Sequence, residues 1–160
     1  MTDMLVKLYS LPSLEPELAA QAAQGITIRC GLPPEKHLAL AWIEQHFGAH
    51  WRSECEVAFS RQPVSIWLAV HKAQMVGFGC YDATARGFFG PTGVSEAMRG
   101  RGVGRALLIA CLHAMRAVGY GYAIIGGVGP VDFYRRAVGA QVIDDSTPGV
   151  YAGLLRAPDA

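Results

Sequence analysis

The sequence predicts one mixed α/β domain whose central sheet is mostly antiparallel and is flanked by helices. The chain has 160 residues, and 51% of them are apolar, which is enough to form one hydrophobic core. Segments with the two-residue period of a strand alternate along the chain with segments of helical period. Two strand-like segments, Ser65 to Val70 and Met75 to Tyr81, flank a short polar turn and therefore predict an antiparallel hairpin.

The first 60 residues predict short strands followed by helices. Met4 to Tyr9 and Ile26 to Arg29 have strand-like patterns, and a Pro-containing, Ala/Gln-rich stretch between them predicts one helix. Residues 1–30 are expected to form an N-terminal extension whose arrangement the pattern does not specify. The next helix is indicated by apolar residues at helical spacing, namely Leu38, Trp42, Ile43 and Phe47. Another helical segment follows around residues 51–59.

After the hairpin, one strand precedes a long helix. Phe88 to Val94 predicts a strand, and Gly90 and Gly93 within it favour a bulge. Apolar residues from Val103 to Val118 recur at steps of three and four and predict an amphipathic helix that ends at Gly119. The remaining predicted elements are a strand at Tyr122 to Ile125, a helix from Pro130 through Ala137, and two closing strands at Gln141 to Ile143 and Val150 to Leu155.

Charge and cysteine content argue against several classes of partner. With 14 basic and 13 acidic side chains, the chain has no global field that would hold nucleic acid or an anionic membrane. Its apolar runs are far shorter than the ~20 residues that cross a bilayer, and no secretory pattern is present, so we expect a cytoplasmic protein. The spacing of the four cysteines fits neither a metal clip nor a disulfide framework and predicts reduced thiols and no metal.

The segment from Val94 to Arg105 is rich in glycine and arginine and lies between a predicted strand and a predicted helix. Gly100, Gly102 and Gly104 let backbone N–H groups turn toward a ligand, and a helix N-terminus adds unpaired donors and partial positive charge. Positive charge is added by Arg99, Arg101 and Arg105. The segment therefore predicts a site for a ligand that carries several phosphate charges.

Three other glycine-loop interpretations compete with this one. A nucleoside-triphosphate loop is excluded because the GxxxxGK[ST] lysine and hydroxyl are absent. A dinucleotide fold is disfavoured because the spacing is not GxGxxG and the preceding strands form a hairpin. The third alternative is a glycine-rich turn that exposes solvated arginines.

This segment resembles the GCN5-related N-acetyltransferases. The family signature Arg/Gln-x-x-Gly-x-Gly/Ala is matched by Arg99, Gly102 and Gly104. Val94 lies five residues before the signature, and Phe133-Tyr134 followed by Gly139 resembles the FYxxxG region of the family. The order of elements fits over roughly three-quarters of the chain, from residue 33 to residue 155.

The resemblance implies a splayed pair of strands, Gly90 to Val94 and Tyr122 to Gly127, that holds the pantetheine arm of acetyl-CoA. A backbone N–H near Val94 would bond the thioester carbonyl as charge develops on it. The residues implied to bind the cofactor are Val94, Arg99, Gly100, Arg101, Gly102, Val103, Gly104 and Arg105.

Tyr134 matches the tyrosine that protonates the departing thiolate in many members of the family. The alternative is a core aromatic whose hydroxyl bonds a backbone carbonyl. Some members carry a glutamate base on the bulged strand, six residues before the valine, but Phe88 stands there in this chain. Asp82 is therefore the candidate base or amine-binding group, against the alternative that it caps its own turn.

The resulting expectation is an N-acetyltransferase that acts on a primary amine of a small molecule or a protein by direct attack. The alternative is a non-catalytic domain that senses acyl-CoA. We expect neither nucleic acid nor membrane as a partner, and a homodimer is compatible with the fold. The acceptor groove implied by the resemblance is bordered by aromatic and histidine residues, namely His37, Trp42, His46, His50 and Trp51.

Overall fold

The computed structural model describes residues 1–156, which form seven strands and five α-helices. The strands are β1 (Asp3–Lys7), β2 (Ile26–Cys30), β3 (Ile66–His71), β4 (Gln74–Tyr81), β5 (Phe88–Val94), β6 (Tyr122–Ile125) and β7 (Gln141–Ile143). The helices are α1 (Glu15–Ala22), α2 (Lys36–Phe47), α3 (Ala49–Phe59), α4 (Val103–Ala117) and α5 (Val131–Val138). Within residues 1–156, no helix is long and apolar enough to cross a membrane.

All seven strands belong to one sheet with the order β2-β3-β4-β5-β6-β1-β7. Every neighbouring pair is antiparallel except β5 and β6, which are parallel. The predicted fold class is therefore confirmed. The β3–β4 hairpin forms as expected, and the ladder between β4 and β5 changes register between Gly79 and Tyr81, next to the predicted bulge.

The N-terminal strand lies inside the sheet. β1 pairs with β6 on one side and with β7 on the other. The predicted closing strand at Val150 to Leu155 is wrong, because the position beside β6 is already filled by β1. Gly149–Tyr151 instead form a short 3-10 helix, and Tyr151 packs against the end of β6 at Gly126.

Helices cover both faces of the sheet. On one face, α2 and α3 pack on β3 and β4 around the buried side chain of Phe78. On the other face, α4 crosses β4 closely because Gly77 and Gly79 have no side chain there. A Cβ added at Gly79 would lie 3.2 Å from Cys111 Sγ of α4. The alternation of Gly77, Phe78 and Gly79 is the two-residue period of a strand covered on both faces.

Candidate active site

A gap opens between β5 and β6, which pair at only two positions. Phe88 is opposite Ile124 and Phe89 is opposite Ile125, and no further pairing follows. Gly90 comes next, with a positive φ of 121° that favours glycine. The two strands therefore splay apart from Gly90 onward, as the resemblance predicts.

A cavity of about 280 Å³ lies at the mouth of this gap. Its walls come from the splayed strands, from α3 and from the two ends of the described chain. Its lining includes Trp51, Glu54, Thr84, Gly90, Gly126 and Tyr151. Among the described lining residues, Glu54 has the only carboxylate side chain, and none has a basic side chain. The side-chain charge of the cavity is therefore negative.

Glu54 is positioned by α3 and by one hydroxyl. Thr84, in the turn that follows β4, donates a hydrogen bond from Oγ1 to Glu54 Oε1. The hydroxyl of Tyr151 lies against Gly126, where an added Cβ would be 2.6 Å from it. Burial raises the pKa of Tyr151, and the charges of Glu54 and Asp3 raise it further.

Asp82, the base expected from the sequence, lies in a different place. Its Oδ1 accepts a hydrogen bond from the Gly87 N–H at 2.7 Å, and both carboxylate oxygens lie 3.0 Å from the Tyr120 hydroxyl. It lines a separate cavity of about 580 Å³ near the C-terminal end of α4, together with Arg61 and Arg86. This geometry favours the turn-capping role over the base role and identifies Glu54 as the acid beside the gap.

The loop before α4 has the geometry of an anion site. Gly100 and Gly102 have positive φ angles of 76° and 81°, which explains why glycine stands at both positions. The backbone N–H groups of residues 102–105 donate no hydrogen bond to another residue that the structure describes. Ala106 is the first residue of α4 whose N–H is paired, to the Gly102 carbonyl at 3.0 Å. Unpaired donors are therefore present at the N-terminus of a helix.

The three arginines near this loop have different surroundings. Arg99 is exposed, and its Nη1 lies 3.8 Å from Glu96. Arg101 is also exposed. Arg105 is engaged, because its Nε donates to Glu17 at 2.8 Å and its Nη1 donates to the Ala137 carbonyl at 3.2 Å. The Arg105 side chain thus links α4 to α1 and α5, and its guanidinium is not available as the sequence suggested.

Val94 and Val103 anchor the loop at its two ends. Val94 is the last residue of β5 and is opposite Gly77 of β4. Val103 is buried in the core beneath the start of α4. Gly104 lies close to Val94, since a Cβ added at Gly104 would be 3.7 Å from Val94 Cγ2. The predicted cofactor residues are therefore brought together, but Val94 lies at the loop end of β5, four residues after the gap opens at Gly90.

An aromatic cluster borders β5 on the face of α2 and α3. The Phe47 ring stacks on Trp51 at a centroid distance of 5.0 Å, and both rings meet Phe78 edge-on. Trp42 stacks on the exposed His46 at 4.2 Å. Within residues 1–156, no group of three or more His, Cys, Asp and Glu side chains could hold a metal ion.

Comparison with protein families decides the assignment. Residues 32–140 match the model of the Acetyltransferase (GNAT) family. The chain belongs to this family. Members of the GNAT family bind acetyl-CoA. The match includes the glycine loop and Tyr134 but excludes β1, α1 and β2, which precede it. No curated protein matches the sequence.

Solved structures of GNAT proteins share this fold. A GCN5-related glucosamine N-acetyltransferase region in a fungal multi-domain GH3 β-N-acetylglucosaminidase is 15% identical, with a TM-score of 0.72 over 89% of this chain and 19% of that one. A GCN5-related N-acetyltransferase from Sphaerobacter thermophilus is 24% identical, with a TM-score of 0.66 over 89% and 48%. An acetyltransferase from Trypanosoma brucei is 18% identical, with a TM-score of 0.54 over 69% and 89%. The chain thus spans less than half the length of the first two.

Tyr134, the GNAT residue predicted as an acid, has a buried ring and an accessible hydroxyl. The ring packs in the core and meets Phe133 edge-on at 5.0 Å. Its hydroxyl bonds none of the residues 1–156, and the only fully buried, unpaired side-chain oxygen or nitrogen among them is Gln21 Oε1. The hydroxyl therefore retains contact with solvent, unlike a core tyrosine bonded to a carbonyl. Burial raises the pKa of Tyr134 and keeps the phenol protonated at neutral pH.

Proposed function

We propose that this protein transfers the acetyl group of acetyl-CoA to a primary amine of a small molecule. The observation that carries the proposal is the Glu54 carboxylate in a cavity at the mouth of the β5–β6 gap. In the proposed complex, the unpaired N–H groups of residues 102–105 and the arginines Arg99 and Arg101 bind the pyrophosphate. The pantetheine arm follows β5 into the gap and brings the thioester to Gly90.

Glu54 has the chemistry to receive the acceptor. A primary amine with a pKa near ~10 is protonated at neutral pH and must lose a proton before it attacks. The Glu54 carboxylate binds the ammonium group and accepts that proton, directly or through water. The Glu54 carboxylate attracts cationic and repels anionic acceptors, and about 280 Å³ admits a small head group.

The transfer then proceeds by direct attack. The amine nitrogen forms a bond to the thioester carbonyl carbon, and the backbone donors of β5 stabilise the oxyanion. When the tetrahedral intermediate collapses, the C–S bond breaks and the Tyr134 hydroxyl protonates the departing thiolate. The nitrogen, which carries an extra proton after the attack, releases it through water to the Tyr134 phenolate, and Glu54 returns the proton it accepted to solvent. The products are the N-acetylated amine and CoA.

Acetyl-CoA turnover with a panel of primary amines tests the proposal. Glu54→Gln should lower kcat/KM by about 10²- to 10⁴-fold, as expected for a lost base. Glu56→Gln is the matched control on the same helix, because Glu56 pairs with Lys36 outside the cavity. Asp82→Asn should retain the rate per folded molecule.

Two outcomes would contradict the proposal. CoA binding without turnover of any amine would support the sensor alternative. A rate that falls in the Asp82→Asn variant and not in the Glu54→Gln variant would return the base role to Asp82.

A further inference from the structure

Helix α1 and the turn that follows it touch the glycine loop through two glutamines. Gln21, which is 1% exposed, donates from Nε2 to the Arg101 carbonyl at 3.0 Å. Gln24, which is exposed, donates to the same oxygen at 3.1 Å. Both donors therefore fix one peptide group, the one between Arg101 and Gly102.

The orientation of that peptide determines where its N–H points. In a trans peptide, the C=O and the following N–H point in opposite directions. Because Gln21 binds the Arg101 carbonyl on the α1 side, the Gly102 N–H points away from α1. The packing is tight, since a Cβ added at Gly102 would lie 3.1 Å from Gln21 Nε2.

One atom of the Gln21 side chain lies in an unfavourable environment. Its Oε1 is fully buried and has no hydrogen-bond partner among residues 1–156. An unpaired buried acceptor is destabilising, and an apolar side chain of similar size would avoid that cost. The hydrogen bond donated by its Nε2 therefore gives a reason for a glutamine here.

A second contact fastens the same helix to the start of α4. Glu17 of α1 receives the 2.8 Å hydrogen bond from Arg105, which also holds the Ala137 carbonyl of α5. Leu14 and Leu18 pack against the core beneath the loop. Helix α1 thus holds the loop by packing, an ion pair and the Gln21 amide, and Gln24 adds a second amide contact just after the helix. Both residues lie outside residues 32–140, which match the family.

We propose that Gln21 is a positioning residue for the cofactor site. By holding the Arg101 carbonyl, it directs the Gly102 N–H toward the pyrophosphate, so that α1 forms part of the machinery that binds acetyl-CoA. The proposal rests on the proposed function, since it needs a phosphate-bearing cofactor at the loop.

Two substitutions at Gln21 test it. Gln21→Met keeps the length of the side chain and removes the donor, and Gln21→Glu keeps its shape and replaces the donor with an acceptor. In both variants, the calorimetric Kd of CoA and the KM of acetyl-CoA should rise about three- to tenfold, the effect of one misplaced hydrogen bond. The kcat at saturating acetyl-CoA should stay within twofold of wild type. Gln45→Met, at an exposed position of α2, is the matched control and should change neither constant.

The readouts separate this proposal from a structural role and from the proposed function. An unchanged Kd in the folded Gln21 variants would overturn it, and so would a lower kcat at unchanged Kd. A lower melting temperature with unchanged Kd would make Gln21 a structural residue only. If wild type itself fails to bind CoA, the proposed function fails, and this inference fails with it.

Discussion

The ring and the hydroxyl of Tyr134 contribute to different properties of the protein. The ring packs in the core, whereas the hydroxyl bonds no residue within 1–156. We therefore expect Tyr134→Phe to preserve the Kd of acetyl-CoA while kcat falls by about 10²- to 10⁴-fold. Because burial raises the pKa of Tyr134, any alkaline fall in rate caused by its ionisation should begin above the usual tyrosine pKa of ~10. Steady-state kinetics between about pH 6 and about pH 11 measure both effects.

Tyr122→Phe is the control for this experiment, because Tyr122 is exposed at the start of β6. It should leave kcat unchanged. A Tyr134→Phe enzyme that is less stable but keeps its rate per folded molecule would show that the hydroxyl is structural. A fall in cofactor affinity alone would make it a cofactor contact.

Gly102 combines a left-handed backbone with a crowded position. Valine there would be strained, by about 1–2 kcal/mol for the backbone alone, and would meet Gln21. We expect Gly102→Val to abolish detectable CoA binding in calorimetry while the circular dichroism spectrum stays native. Gly119→Val is the control, since its φ of 105° is also positive but it lies beyond the far end of α4 with nothing within 4 Å. Unchanged affinity in a folded Gly102→Val protein would refute the cofactor site.

At the scale of elements, α2 meets β5 closely at Gly93. The Phe47 ring lies on Gly93, where an added Cβ would be 2.5 Å from Phe47 Cζ. Gly93→Ala should therefore displace α2 and lower the free energy of unfolding by about 1–3 kcal/mol, the usual cost of overpacking. Chemical denaturation measures it, with Gly121→Ala as the control because nothing lies within 4 Å of that position. Equal stability of the two variants would contradict the prediction.

The elements near the glycine loop were predictable because their signals are local. The loop, the amphipathic α4 and the hairpin each depend on residues close together in sequence. Glu54 was not predictable in this way, because only the packing of α3 beside β5 brings it to the gap. Asp82 lies in the turn between β4 and β5, close to the gap in sequence, but the turn directs its carboxylate to Gly87 and Tyr120.

At the scale of the whole molecule, the ionisation of Tyr81 should lower the free energy of unfolding at alkaline pH. Burial raises its pKa from 10.0 to about 12, and nearby thiol and carboxylate charges add to the shift. The folded state thus retains the proton more strongly than the unfolded state, so this contribution is fully present below pH 10 and is lost as pH rises toward 12. The loss should be on the order of 2 kcal/mol. Denaturation at about pH 8 and about pH 11, on either side of that onset, measures this loss. The free energy of unfolding should fall less between these two pH values in Tyr81→Phe than in wild type. An equal fall would contradict the prediction.

The sequence predicted most of the strands but not their order in the sheet. β1 has a clear strand pattern, and nothing local indicates that it lies between β6 and β7. Its partners are more than half the chain away, so their pairing depends on the packing of the complete sheet. The prediction of a strand at residues 150–155 failed for the same reason. An apolar pattern does not show that β1 already occupies the position beside β6.

The interior position of β1 in the sheet has a consequence for biosynthesis. β1 leaves the ribosome before both of its partners, and β6 is synthesised about 120 residues later, as the opposition of Leu5 and Ile124 illustrates. At about 5–20 residues per second, β1 waits roughly 6 to 24 s with both of its edges unpaired. During that interval, the nascent chain presents an apolar strand to chaperones and to neighbouring nascent chains, and the sheet is completed only after β7 has emerged.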